Sequence, residues 1–329
     1  MNLNNLENLK QEMKALGFSD KLQVLMEEQM RNDIPQFHLN DSIAADKGQV
    51  DFTLHFKQSG QSDYYYLNRY EVAHNKGKAL EEGQKYMVIV AGADGKNTVK
   101  RIENLNEAID HFRAQKGGAE LSVGKDPAHR TIIANIENGK VNFINNEYKS
   151  TYYAKPVTQN IWVDKGRGFT AQQSANLIQG RSVYRDDLVK YTTGEPYKAW
   201  VRLDLEKGKD EKGNFQMQQF MDPQYGYDLK HVLNEYRIKE LDDPAKRVKL
   251  EAELKNGNRA LITTVKEGKE VKLQLEAVPR YGNLNFFTME GKIERRDQFE
   301  KVQAKENIFE KKMGQSKDKE LSTGQELTR

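Results

Sequence analysis

The residues of this sequence whose spacing most resembles a chemical motif are Gly166, Gly168 and Ala171. They form Gly-x-Gly-x-x-Ala after the apolar stretch Ile161-Trp162-Val163, with a helix opening at Ala171. In a dinucleotide site such glycines let backbone amides reach a pyrophosphate, and an acidic residue about twenty positions on takes the ribose hydroxyls. Asp186-Asp187 stands at that distance. The fingerprint also needs a parallel β–α–β unit with a helix long enough to cross the sheet. Gly180 cuts this helix short, and Val183-Tyr184 is the only apolar segment that follows. A capping box explains the same residues, with Thr170 as N-cap and Gln173 three positions on.

Other chemistry is excluded more simply. Gly118 and Gly124-Lys125-Asp126 have five residues between the glycines and Asp after the Lys. A phosphate-binding loop needs four residues there and a Ser or Thr to ligand Mg²⁺. The histidines at 38, 55, 74, 111, 129 and 231 show no His-x-His or i, i+4 pair that would share a metal. His55 and His231 fall on polar faces and read as surface residues. No Gly-x-Ser-x-Gly elbow occurs. There is no Cys, which removes thiol nucleophiles, disulfides and Cys-ligated metals. Asp243-Pro244 reads as an N-cap followed by proline at the first helical position. No catalytic residue, metal set or cofactor is implied.

Aromatic and basic side chains interleave in two places. Arg181, Tyr184, Arg185, Lys190, Tyr191, Tyr197, Lys198, Trp200 and Arg202 crowd one segment, and Tyr64, Tyr65, Tyr66, Arg69 and Tyr70 another. Aromatic rings stack on bases and guanidinium groups hold phosphates. Strands also favour Tyr and Trp for packing alone. On a two-residue period Lys198, Trp200 and Arg202 share one face, and Ala199, Val201 and Leu203 the other. Trp200 between two cations is therefore the expected centre of a binding face, with Arg181, Arg185, Tyr184 and Tyr197 around it.

The elements that must carry these residues are short. Leu3, Leu6, Leu9, Met13 and Leu16, then Leu22, Leu25, Met26 and Met30, predict two helices with Gly17 between them. Val50, Phe52, Leu54 and Phe56 alternate with Asp51, Thr53 and His55, which predicts a half-buried strand at 49–57; 64–70 closes a hairpin with it. Further on, a helix followed by three strands recurs. Helices are expected at 171–179 and 245–255, with strands at 181–185, 197–205 and 214–220, then 259–265, 270–278 and 284–288. A less regular third copy spans 104–146, where Asn138-Gly139 marks a hairpin. One helix on a three-stranded antiparallel sheet is the smallest unit that covers an apolar sheet face. The reading is an α+β fold of short helices on small antiparallel sheets, with tandem helix–β–β–β modules. Its parts are 1–155 (helical hairpin and β-hairpin), 156–236 and 237–296 (one module each), and 297–329 (a helix and a disordered tail).

Charge is balanced overall, with 52 Lys+Arg against 49 Asp+Glu, but the first 150 residues carry −2 and the rest +5. That excess permits a nucleic-acid face without demanding one. No apolar run approaches the 18 or so residues of a membrane span. The start Met1-Asn2-Leu3-Asn4-Asn5 lacks the basic and apolar regions of a signal peptide. We therefore expect a cytoplasmic protein without membrane contact.

Several blocks resemble a family of uncharacterised proteins found in Bacteroides and its relatives, often among genes of conjugative or other mobile elements. They are Gly17-Phe18, Gln61-Ser62-Asp63-Tyr64-Tyr65-Tyr66-Leu67-Asn68-Arg69-Tyr70, Asn176-Leu177-Ile178-Gln179-Gly180-Arg181-Ser182-Val183, Tyr197-Lys198-Ala199-Trp200-Val201-Arg202-Leu203-Asp204, Tyr225-Gly226-Tyr227-Asp228-Leu229 and Ile238-Lys239-Glu240-Leu241. The resemblance runs over most of 1–296 and implies a mobile-element setting, but no activity. The expected function is a non-enzymatic mobile-element accessory protein contacting DNA or RNA through its basic and aromatic sheet face. The alternative is a protein-interaction or self-assembly module, in which the same aromatics fill interface pockets.

Overall fold

A computed structural model of the protein describes residues 2–92, 95–153, 156–190 and 192–301. Of the helix and tail expected at 297–329, all but residues 297–301 lies outside them. The fold is α+β, with short helices and small antiparallel sheets. It divides into two units. The first holds the residues up to Gly180 together with Leu203–Gln216; the second holds Arg181–Arg202 and the chain from Met217 onward. Among the described residues no helix is long and apolar enough to cross a membrane.

The first unit runs α1 (Leu3–Ala15), α2 (Asp20–Arg31), β1 (Gln36–Ala44), β2 (Gln49–Gln58), β3 (Tyr65–Asn75), β4 (Lys85–Ala91), β5 (Asn97–Ile102), α3 (Leu105–Arg113), β6 (Ala119–Gly124), β7 (Arg130–Glu137), β8 (Lys140–Ile144), α4 (Lys149–Tyr153), β9 (Val157–Trp162) and α5 (Ala171–Ile178). One antiparallel sheet has the order β1-β2-β3-β9. Its alternation puts Val50, Phe52, Leu54, Phe56, Leu67, Tyr70, Val72 and Ile161 on one buried face. Helices α1, α2 and α5 pack on this sheet. Phe18 meets Phe52 and Tyr70 edge-on, at 5.7 and 5.2 Å between ring centres. A second sheet, β5-β4-β6-β7-β8, is backed by α3 through Leu105, Ala108, Ile109 and Phe112. Its β7–β8 turn has Asn138 and Gly139 at φ 51° and 72°, the left-handed pair a two-residue hairpin requires.

The second unit contains β10 (Val183–Val189), β11 (Pro196–Leu203), β12 (Met217–Asp222), α6 (Leu229–Asn234), α7 (Pro244–Lys255), β13 (Ala260–Lys266), β14 (Lys269–Val278), β15 (Asn283–Phe287) and β16 (Ile293–Glu294). Its sheets are β10-β11-β12 and β13-β14-β15-β16. They enclose a core that includes Trp200, Leu233, Tyr236, Leu254, Ile262, Leu275, Phe286 and Phe299. Asp243 caps α7 by accepting from the amides of Ala245 and Lys246, with Pro244 behind it.

The helix-then-three-strands order is present along the chain, but its helices do not all cover the strands that follow. Helix α5 belongs to the first unit, whereas β10–β12 belong to the second. The amide of Ala171 donates to Leu16 O at 2.8 Å, and the Tyr70 hydroxyl lies 2.6 Å from Ser174 Oγ. The α5 stripe is thus spent on β3, β9 and the end of α1, and the module expected at 156–236 is not a spatial unit.

Two residues of the polar side of β2, Gln49 and Asp51, are not at the surface. Asp51 is 2 % exposed, and Gln49 Nε2 donates to its Oδ1 at 2.6 Å while Oδ2 has no hydrogen-bond partner among the described residues. Burial pushes this carboxyl up to about 6, with Gln49 and the nearby Asn75 only partly opposing it. Because the folded protein then holds a proton that the unfolded chain releases, the contribution of Asp51 to stability falls as pH rises from about 4 to about 6 and stays flat above. Asp51→Asn keeps the shape and removes the buried charge. It is expected to stabilise the protein at pH 8 by about 2–3 kcal/mol, at roughly 1.4 kcal/mol per tenfold change in proton affinity, and to change little at pH 4. Urea unfolding at the two pH values measures the difference.

Candidate nucleic-acid interface

The segment expected to form the binding face does not present it. In β11 the two-residue period holds, yet Trp200 is only 2 % exposed. Its indole packs against Tyr184 on the neighbouring strand and Tyr227, at 5.3 and 5.5 Å between ring centres, within a cluster that includes Phe220, Leu229 and Val232. The face holding Lys198, Trp200 and Arg202 is covered at its middle, because the chain after β12 folds back over it. Arg181 is buried and Arg202 half-buried. Arg185 forms a two-bond pair with Asp187, at 2.7 and 2.6 Å. The Tyr184 hydroxyl donates to Asp222 and that of Tyr197 to Gln219. Lys198 alone of the seven is an exposed cation. These residues do not converge on an outward cationic surface.

The sheet β1-β2-β3-β9 does present one. Helices occupy its apolar side, and its other side carries the alternate residues of all four strands. Strand pairing sets His38 opposite His55, His55 opposite Arg69, and Arg69 opposite Trp162. Four residues spread over 38–162 thus form one row across the sheet. Adjacent strands lie about 4.8 Å apart, so the row is roughly 14 Å long. Beside it, Gln36, Lys57 and Tyr66 make a second row. An open pocket of about 260 Å³ lies between them, lined by His55, Lys57, Tyr66, Asn68, Arg69 and Trp162 among others.

Two features distinguish this face from an ordinary solvated sheet. Trp162 is 64 % exposed and Tyr66 46 %, although burying large rings is among the strongest local gains in folding. Two of its cations also lack a carboxylate partner. Among the described residues no carboxylate lies within ion-pair range of Lys57 or Arg69, and the Arg69 guanidinium donates instead to neutral Asn160 at 2.6 Å. On the β9 side, Lys209 donates to Thr158 and sits 5.0 Å over the Phe215 ring. Burial holds this ammonium below its ordinary value. Burial, then the charges of Arg69 and His38, keep His55 below the usual imidazole range. Glu71 is the neighbouring carboxylate in the next row.

Tyr66 and Arg69 were in the second aromatic and basic cluster of the sequence. Trp162 was missed because Ile161-Trp162-Val163 reads as an apolar strand with no preferred side. The signal was there in the alternation of Thr158, Asn160 and Trp162 against Gln159, Ile161 and Val163. The glycine motif proves structural: a Cβ on Gly166 would sit 3.0 Å from Glu12 Cα, and one on Gly168 2.8 Å from Val163 Cγ1. Thr170 and Gln173 form the capping box. Among the described residues no three acidic or histidine side chains group as a metal site. No protein-family model, curated protein or solved structure matches this chain.

Proposed function

We propose that the protein is a non-enzymatic nucleic-acid-binding protein that uses the open face of β1-β2-β3-β9 for single-stranded DNA or RNA. The observation that carries this reading is the row His38–His55–Arg69–Trp162, an exposed indole beside a guanidinium with no carboxylate partner, on a sheet whose other side is covered by helices. Trp162 and Tyr66 offer stacking surfaces for bases, while Arg69, Lys57 and Lys209 neutralise phosphates. A four-stranded surface with exposed rings suits splayed bases better than a duplex, whose bases are stacked away from such rings. An accessory role in handling such strands would fit the mobile-element setting that the resemblance of several blocks implies.

Anisotropy titrations of labelled single-stranded oligonucleotides across a salt series test this. Three phosphate contacts on a single strand give a slope of log affinity against log salt near −2, and Lys57→Ala or Lys209→Ala should each reduce its magnitude by about 0.7. No affinity at low salt, or an unaltered slope in both variants, overturns the proposal. Self-association in light scattering together with that absence would favour the protein-interaction reading instead.

A further inference from the structure

The second unit contains an aromatic pocket that the sheet-face reading does not use. It measures about 360 Å³ and is walled by Tyr184, Trp200 and Tyr227. The two phenols are held above their ordinary value by burial, so both rings are neutral, and Tyr184 is fixed by its 2.5 Å bond to Asp222 Oδ2. Both carboxylates at the pocket have internal duties. Asp222 holds Tyr184, and Asp228 accepts from the amides of Lys230 and His231 at 2.9 and 3.2 Å. The ammonium groups are held more loosely. Lys255 Nζ rests 5.0 Å over the Tyr184 ring, and Lys230 Nζ stands 4.0 Å from Glu251.

We propose that this pocket binds a nucleoside monophosphate group, either free or at the end of a strand. The base would take the Tyr184 ring face that Lys255 now covers, gaining stacking there. Lys255, released from the ring, and Lys230 would meet the phosphate as charge-assisted donors. A cation in the same pocket would have to displace Lys255 without any carboxylate set aside for it. The volume lies within the range of small-molecule sites. This inference does not rest on the sheet-face reading, because it concerns other residues in the other unit.

The chain has two tryptophans, so in the full-length Trp162→Phe variant emission excited at the red edge reports Trp200 alone. This background also weakens the sheet face, so the two sites are read separately. AMP, UMP, adenosine, tetramethylammonium and the 5′-phosphorylated dinucleotide pApA are the probes. AMP and UMP are expected to change the Trp200 emission saturably at concentrations near 1 mM or below. Adenosine should bind about tenfold more weakly, and Lys255→Ala should weaken AMP by about tenfold, as expected for one charge-assisted hydrogen bond. Tighter binding of pApA than of AMP assigns the site to strand ends, and the reverse to free nucleotide; either supports the shared chemistry. No saturable response to AMP, equal binding of adenosine, an unaltered AMP affinity in a folded Lys255→Ala variant, or a response to tetramethylammonium in place of AMP overturns it.

Discussion

Trp162→Ala is expected to weaken binding of a single-stranded oligonucleotide by roughly 5- to 150-fold, the range that a stacked base contributes at about 1–3 kcal/mol. The indole is 64 % exposed on a strand whose buried side carries Ile161. Its removal takes away a stacking surface and very little packing, so unfolding free energy should stay within about 0.5 kcal/mol of the parent. Trp162→Phe keeps a ring and should recover part of the affinity. The combination decides the matter. A loss of stability without loss of affinity would make the indole a strand residue only, and unaltered affinity with unaltered stability would remove the sheet face as a binding surface. The neighbouring guanidinium gives an independent reading, because Arg69→Ala should reduce both affinity and salt dependence, whereas loss of the indole should leave the salt dependence in place.

The opposite result is expected at the other tryptophan. Trp200→Ala should destabilise the protein by about 3–5 kcal/mol, the cost of removing a large buried ring and leaving a cavity. The indole is 2 % exposed and touches Tyr184 and Tyr227 inside the second unit's core. Those rings are themselves tied down, Tyr184 to Asp222 and Tyr227 to the carbonyl of Asn283, so they cannot readily collapse into the space. Denaturant unfolding followed by far-ultraviolet circular dichroism measures the loss without relying on tryptophan emission. Trp200→Phe should cost clearly less. A change within about 0.5 kcal/mol for Trp200→Ala would show that the ring is dispensable to packing, and would return it to the role of a surface stacking residue.

Much of the local structure was legible because its causes are local. Val50, Phe52, Leu54 and Phe56 can share a face only on an extended chain. Asn138-Gly139 tolerates two left-handed residues, and Thr170 with Gln173, or Asp243 with Pro244, satisfies the free amides of a helix start. Asp51 shows where that reasoning stops. Its position on β2 is the polar one, yet the residues after β3 close over that end of the sheet and bury it.

The two tryptophans divide the credit most clearly. The amino-acid order by itself determined that Trp200 stands with Lys198 and Arg202, and Trp162 with Asn160 and Thr158, since side chains alternate along any strand. It also determined the short helices, the hairpin turns and the absence of a thiol or a phosphate loop. Only the tertiary structure decided which of those faces is covered. The chain after residue 222 returns over Trp200, whereas α1, α2 and α5 all settle on the far side of the sheet that carries Trp162. It likewise brought His38, His55, Arg69 and Trp162 into one row, through pairings between strands far apart in the chain. Periodicity is a property of the backbone and is written locally. Coverage and register depend on which distant segments can bury their own apolar stripes, and that is settled only when the whole chain packs.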